Sequence, residues 1–66
     1  MNLLYFMLKS KELKKNITIE TVNFIYKFNL SLEYISECKD VIAKDYKGNE
    51  VTLCLCFFEC QWKEII

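Results

Sequence analysis

Four cysteines carry the most reactive side chains of this sequence: Cys38, Cys54, Cys56 and Cys60. Four thiolates are enough to hold a structural zinc ion, but zinc usually draws them from short Cys-x-x-Cys knuckles whose turn brings two sulfurs together. Here the spacing is Cys-x-Cys-x-x-x-Cys inside an apolar run. Cysteine is among the most buried residue types and packs as a small hydrophobe. The pattern therefore predicts core cysteines, with no metal and no cofactor; a zinc site and thiol redox or disulfide use are the two lesser alternatives.

Other catalytic inventories are thin. Histidine is absent, and all nine basic residues are lysine. That excludes a Ser-His-Asp triad, a Cys-His pair and the bidentate fork that arginine offers to phosphate. The acid pairs Glu37/Asp40 and Glu59/Glu64 lie among lysines and near turns, where carboxylates are ordinarily solvated. General acid–base work needs two acids fixed across a cleft, and a chain of 66 residues has little volume for one. The sequence reads as non-enzymatic.

Two groups remain that could bind a macromolecule. Lys9, Lys11, Lys14 and Lys15 give residues 1–16 a charge of +3, against −3 for residues 33–66. Such a basic front could touch phosphates, but net charge is zero and the ordinary fate of these lysines is a solvated helix face. The aromatic C-terminal stretch is the stronger candidate. Phe57, Phe58, Trp62 and Ile65 present large apolar area, and tryptophan is enriched at interface hot spots. Trp62 has two readings, a cap on the core or a contact with a partner.

The elements that position these residues follow from hydrophobic periodicity. Leu3, Phe6, Met7, Ser10 and Leu13 recur at helical spacing, which predicts a helix over 3–15 ended by Asn16. From Val22 the even positions run Val22, Phe24, Tyr26, Phe28, Leu30, Leu32, a period of two that means strand. Continued through Tyr34, that run spans roughly 43 Å as one strand. A globule of this length has a diameter of roughly 28 Å, so the run must bend or break, with Asn29-Leu30-Ser31 the expected corner. Ile17 and Ile19 lie in the opposite parity, which predicts a bulge near Glu20 or Thr21. Gly48-Asn49 is read as a two-residue hairpin turn pairing Tyr46 with Val51, Lys44 with Leu53 and Ile42 with Leu55. In that register Leu55 is interior, and Leu55→Asp should unfold the protein or break its assembly.

The fold class is then α+β over a single domain, 1–66. A short N-terminal helix packs on an antiparallel sheet of three or four strands, at 17–28, 30–36, 40–47 and 50–60. A small all-β barrel, with the N-terminal segment as a strand, is the alternative. Small cores rarely supply more than roughly 3–5 kcal/mol. The run Val51–Phe58 is apolar at every position but Thr52, more than one helix can cover. A second polypeptide is expected to complete the burial, so the chain reads as a self-associating homodimer or higher assembly. The first apolar run, Leu3–Leu8, is six residues, far short of a membrane span of about 20, and lysines follow rather than precede it. That gives a cytoplasmic chain with reduced cysteines and no membrane partner.

These observations favour a stoichiometric, non-catalytic protein-binding module. Lysine without arginine and frequent Asn and Ile are what an AT-rich genome encodes. Together with the small size, this fits a phage or mobile-element inhibitor of a host defence or regulatory protein, the anti-CRISPR proteins being an analogy of kind. The alternative is a small nucleic-acid-binding regulator acting through the N-terminal lysines.

Overall fold

The computed structural model describes residues 1–22 and 25–66. They form α1 (Leu3–Leu13), β1 (Ile17–Val22), β2 (Asn29–Ile35), β3 (Asp40–Lys44), α2 (Leu55–Glu59) and β4 (Gln61–Ile65). The sheet is antiparallel and open, in the order β3-β2-β1-β4, with α1 packed on one face. The expected α+β class holds, and no barrel closes.

Helix α1 begins because Asn2 turns its side-chain oxygen onto the Tyr5 N–H at 2.9 Å, satisfying one donor of the first turn. It stops two residues earlier than the periodicity predicts. Lys14 enters the left-handed region (φ 53°), and the Lys14 and Lys15 N–H groups both reach back to the Ser10 carbonyl. The Ser10 hydroxyl donates to the Lys15 carbonyl at 2.7 Å, so this buried polar side chain is satisfied and locks the exit. Leu3 and Phe6 enter the core beside Ser10, Met7 is half-buried, and Leu13 is exposed.

The long alternating run breaks into two strands, earlier than its expected corner. The molecule's longest extent is 36 Å, too short for the full run as one strand. Asn23 and Phe24 lie outside the described residues. No bulge interrupts β1: its register with β2 runs unbroken from Ile17↔Leu32 to Glu20↔Asn29. The buried set is odd through Thr21 in β1 and even from Leu30 in β2. Thr21 takes the inward position in β1. Its hydroxyl donates to the Tyr26 carbonyl at 3.3 Å and accepts from the Phe28 N–H at 3.0 Å. Ile17 and Ile19 thereby face Leu32 and Leu30 directly, and Val41, Ala43 and Trp62 complete the buried face.

The third hairpin departs most from expectation. The Asp45 carboxylate accepts from the N–H groups of Lys47 and Asn49, both at 2.9 Å, so the chain turns over 45–49 rather than over Gly48-Asn49 alone. Gly48 supplies the positive φ (85°) within that wider loop. Lys44 then faces Glu50 instead of Leu53, a single bridge, and the strand expected over 50–60 does not form. The reason is the unpaired side of β1, whose backbone donors and acceptors need partners. Residues 61–65 fill it, pairing Thr18 with Ile65 through Val22 with Gln61. Since β3 and β4 lie on opposite edges, the chain must cross about 14 Å of sheet at 4.8 Å per strand. Residues 51–60 make that crossing, with Val51, Leu53 and Phe57 packed on the core and α2 as a short turn of helix.

Both sheet edges are blunted. On β3 the Ala43 carbonyl accepts from Val51 N–H at 2.8 Å, and the Val41 N–H is taken by the Asp40 carboxylate at 2.8 Å. On β4 Trp62 exchanges two backbone bonds with Met1, at 2.7 and 3.1 Å. The face away from α1 carries the ion pairs Lys44–Glu33 (3.3 Å) and Lys63–Glu20 (3.5 Å), which lets it stand in water. No barrel closes over it.

Candidate protein-docking surface

The antiparallel order brings three connecting segments to one end of the sheet: residues 25–28 leading into β2, the loop after β3, and α2 leading into β4. Their side chains grade outward from the core. Trp62 is 1% exposed and donates its indole N–H to the Phe57 carbonyl at 2.9 Å. The half-buried Phe57 ring lies 6.2 Å from Trp62 and 5.4 Å from Phe28, tilted to both. Beyond this stack the large apolar side chains are wet. Ile25 is 91% exposed, Tyr26 75%, Tyr46 84% and Leu55 73%, with Phe28 and Phe58 partly uncovered. The Lys47 ammonium sits 5.6 Å from the Tyr46 ring centroid, which leaves that ring exposed on a hairpin tip.

The C-terminal candidates therefore separate. Phe57 and Phe58 belong to this end, one wedged in the stack and one outward. Trp62 is a core residue, which settles it as a cap on the core within the chain, while Cys56 and Phe58 lie on α2. Ile65 lies opposite Thr18, toward the far end of β4, away from the others. Leu55 is surface, so the interior position expected from the hairpin register is corrected, and with it the expected effect of Leu55→Asp. Of the four cysteines only Cys60 packs against the core. Cys38, Cys54 and Cys56 are exposed and Cys60 is half-buried, because the strand that would have buried the last three does not exist. The Cys54 and Cys56 sulfurs are 2.6 Å apart.

Ile25, Tyr46 and Leu55 were not among the sequence's binding candidates. Ile25 was the one break in the alternation, an apolar side chain aimed away from the core-facing set, and this was the available signal.

The outer face of α1 is a second apolar surface. Leu4, Tyr5, Leu8 and Leu13 are exposed there, and Tyr5, Leu8, Lys9, Glu12 and Leu13 line an open hollow of about 360 Å³. The four lysines do not gather. Lys9 and Lys11 lie two residues apart, on different sides of the helix, with Lys9 in the hollow beside Tyr5 and Lys11 beside Asp40. Lys9 is also bound to Glu64 of β4 at 2.7 Å, and that hydrogen bond raises its pKa above the ordinary lysine value. Lys14 and Lys15 sit on the exit turn.

Among the described residues, no cluster of three or more Cys, Asp or Glu side chains is arranged to hold a metal ion. No described helix is long and apolar enough to cross a membrane. No protein-family model, curated protein or solved structure matches this chain.

Proposed function

We propose that this protein is a non-catalytic binding module that works stoichiometrically, docking another polypeptide on the apolar end of its sheet. One observation carries the reading: Ile25, Tyr26, Tyr46, Leu55 and Phe58, all exposed, belong to connections gathered at that one end. Aromatic side chains on short, anchored connections suit a hot spot, because they bring large area at small entropic cost. A standard interface takes about 800 Å² from each partner, roughly a sixth of this chain's 4871 Å² surface. Self-association through the same end is part of the proposal. The finer reading, a phage or mobile-element inhibitor of a host defence or regulatory protein, rests on size and residue usage alone.

Sedimentation velocity across a concentration series, combined with cross-linking mass spectrometry, tests this. The triple variant Tyr26→Ser, Leu55→Ser, Phe58→Ser is expected to keep its circular dichroism spectrum while losing the association or cross-links of the wild type. A wild-type chain that stays monomeric, with no protein contact that the triple variant loses, would overturn the proposal. The nucleic-acid alternative predicts retardation in a low-salt gel shift that fades steeply with salt. The scatter of Lys9, Lys11, Lys14 and Lys15 and the engagement of Lys9 with Glu64 disfavour it.

A further inference from the structure

The Cys54–Cys56 pair flanks Leu55 and is the closest pairing of nucleophilic side chains among the described residues. Both residues are exposed, and their sulfurs approach to 2.6 Å. The backbone holds them there. Cys54 is the extended residue before α2 (φ −102°, ψ 171°), Cys56 is the second residue of the helix, and the Phe57 N–H closes the turn onto the Cys54 carbonyl at 3.0 Å. At that separation the sulfurs lie inside ordinary non-bonded contact and close to the roughly 2.05 Å of a disulfide bond, so the turn places the two thiols where that bond can form. We propose that Cys54 and Cys56 form a thiol–disulfide exchange site, oxidised to an internal disulfide by small-molecule disulfides of the glutathione class.

The roles of the two sulfurs differ. Cys54 is the more acidic thiol, because the hydrogen bond it shares with Cys56 favours its thiolate and backbone N–H groups at the start of α2 assist. Cys56 is held less acidic by that same hydrogen bond, by desolvation and by the neighbouring Cys54 and Cys60 charges. The Cys54 thiolate attacks one sulfur of the oxidant, forming a mixed disulfide and expelling a thiolate that takes up a proton. Cys56 then loses its proton, and its thiolate attacks the Cys54 sulfur, expelling the second small thiol. Two protein thiols become one disulfide, and two electrons pass to the oxidant, which leaves as two thiols.

The test uses the full chain in glutathione buffers of graded composition, quenched with N-ethylmaleimide and mapped by peptide mass. The peptide holding Cys54 and Cys56 is expected to lose both alkyl adducts together, at one midpoint, while Cys38 and Cys60 stay alkylated. Cys54→Ser or Cys56→Ser should abolish that loss and leave glutathione on the surviving thiol, with Cys38→Ser behaving as wild type. Separate glutathione adducts on Cys54 and Cys56 in the wild type would overturn the assignment. So would a preferred bond to Cys38 or Cys60, or no oxidation at all. Phenylarsine oxide gives a reading free of any variant: one arsenic bound per chain, shielding both thiols from alkylation, is expected. Failure to bind it counts against the pair.

Discussion

Trp62 is constrained through its backbone by Met1 and β1 and through its indole by Phe57. Its removal should be costly, because a large buried ring leaves a cavity and the Phe57 carbonyl loses a donor. Trp62→Ala is expected to lose about 3–5 kcal/mol in urea unfolding, much of what a domain of this size possesses. Leu55 gives the opposite result. It is solvated, so Leu55→Asp should shift stability by no more than about 0.5 kcal/mol, read as a nearly unchanged midpoint. The two residues looked alike in sequence, each a large apolar group in an oily C-terminal stretch. What separates them is the backbone path between residues 50 and 61, which no side-chain pattern in that run specifies.

At the scale of elements, legibility followed local signals. Helix α1 and the strands β2 and β3 could be read because their periodicities are distinct and each is bounded by its own turn. The end of the first strand could not, because Thr21 is polar and its inward position is stabilised by the backbone of a loop seven residues on. The 51–60 run was misread because an apolar stretch without alternation fits a buried strand and a helix equally. Only the vacancy beside β1 decides between them. Helix α1 offers two measurements. Lys14→Gly relieves a left-handed lysine and should stabilise by up to about 1 kcal/mol, since the relief exceeds the added freedom of the unfolded chain. The Lys9–Glu64 bond raises the folded lysine's pKa above its unfolded value, so its contribution is intact at neutral pH. It should fade only as pH climbs through and beyond the ordinary lysine range near about 10. Lys9→Met should remove that part of the alkaline decline in melting temperature.

For the molecule as a whole, the expectation of surplus apolar ribbon needs relocating. The sheet is satisfied by α1, the crossing segment and the ion pairs of its open face; the surplus sits on the connections and on the outer surface of α1. Association is therefore predicted to resist salt, since net charge is zero and the contact groups are aromatic and aliphatic. The capped strand edges decide what kind of assembly is possible. A chain with this much leucine, isoleucine and phenylalanine would be a candidate for amyloid growth, where each added molecule templates the next. Asp40, Glu50–Val51 and Met1 occupy places such a templating strand would use, so oligomers made by the folded protein should reach a fixed stoichiometry and stop. Asp40→Ala, which uncovers the Val41 N–H, should be the change that lets thioflavin-positive fibres seed.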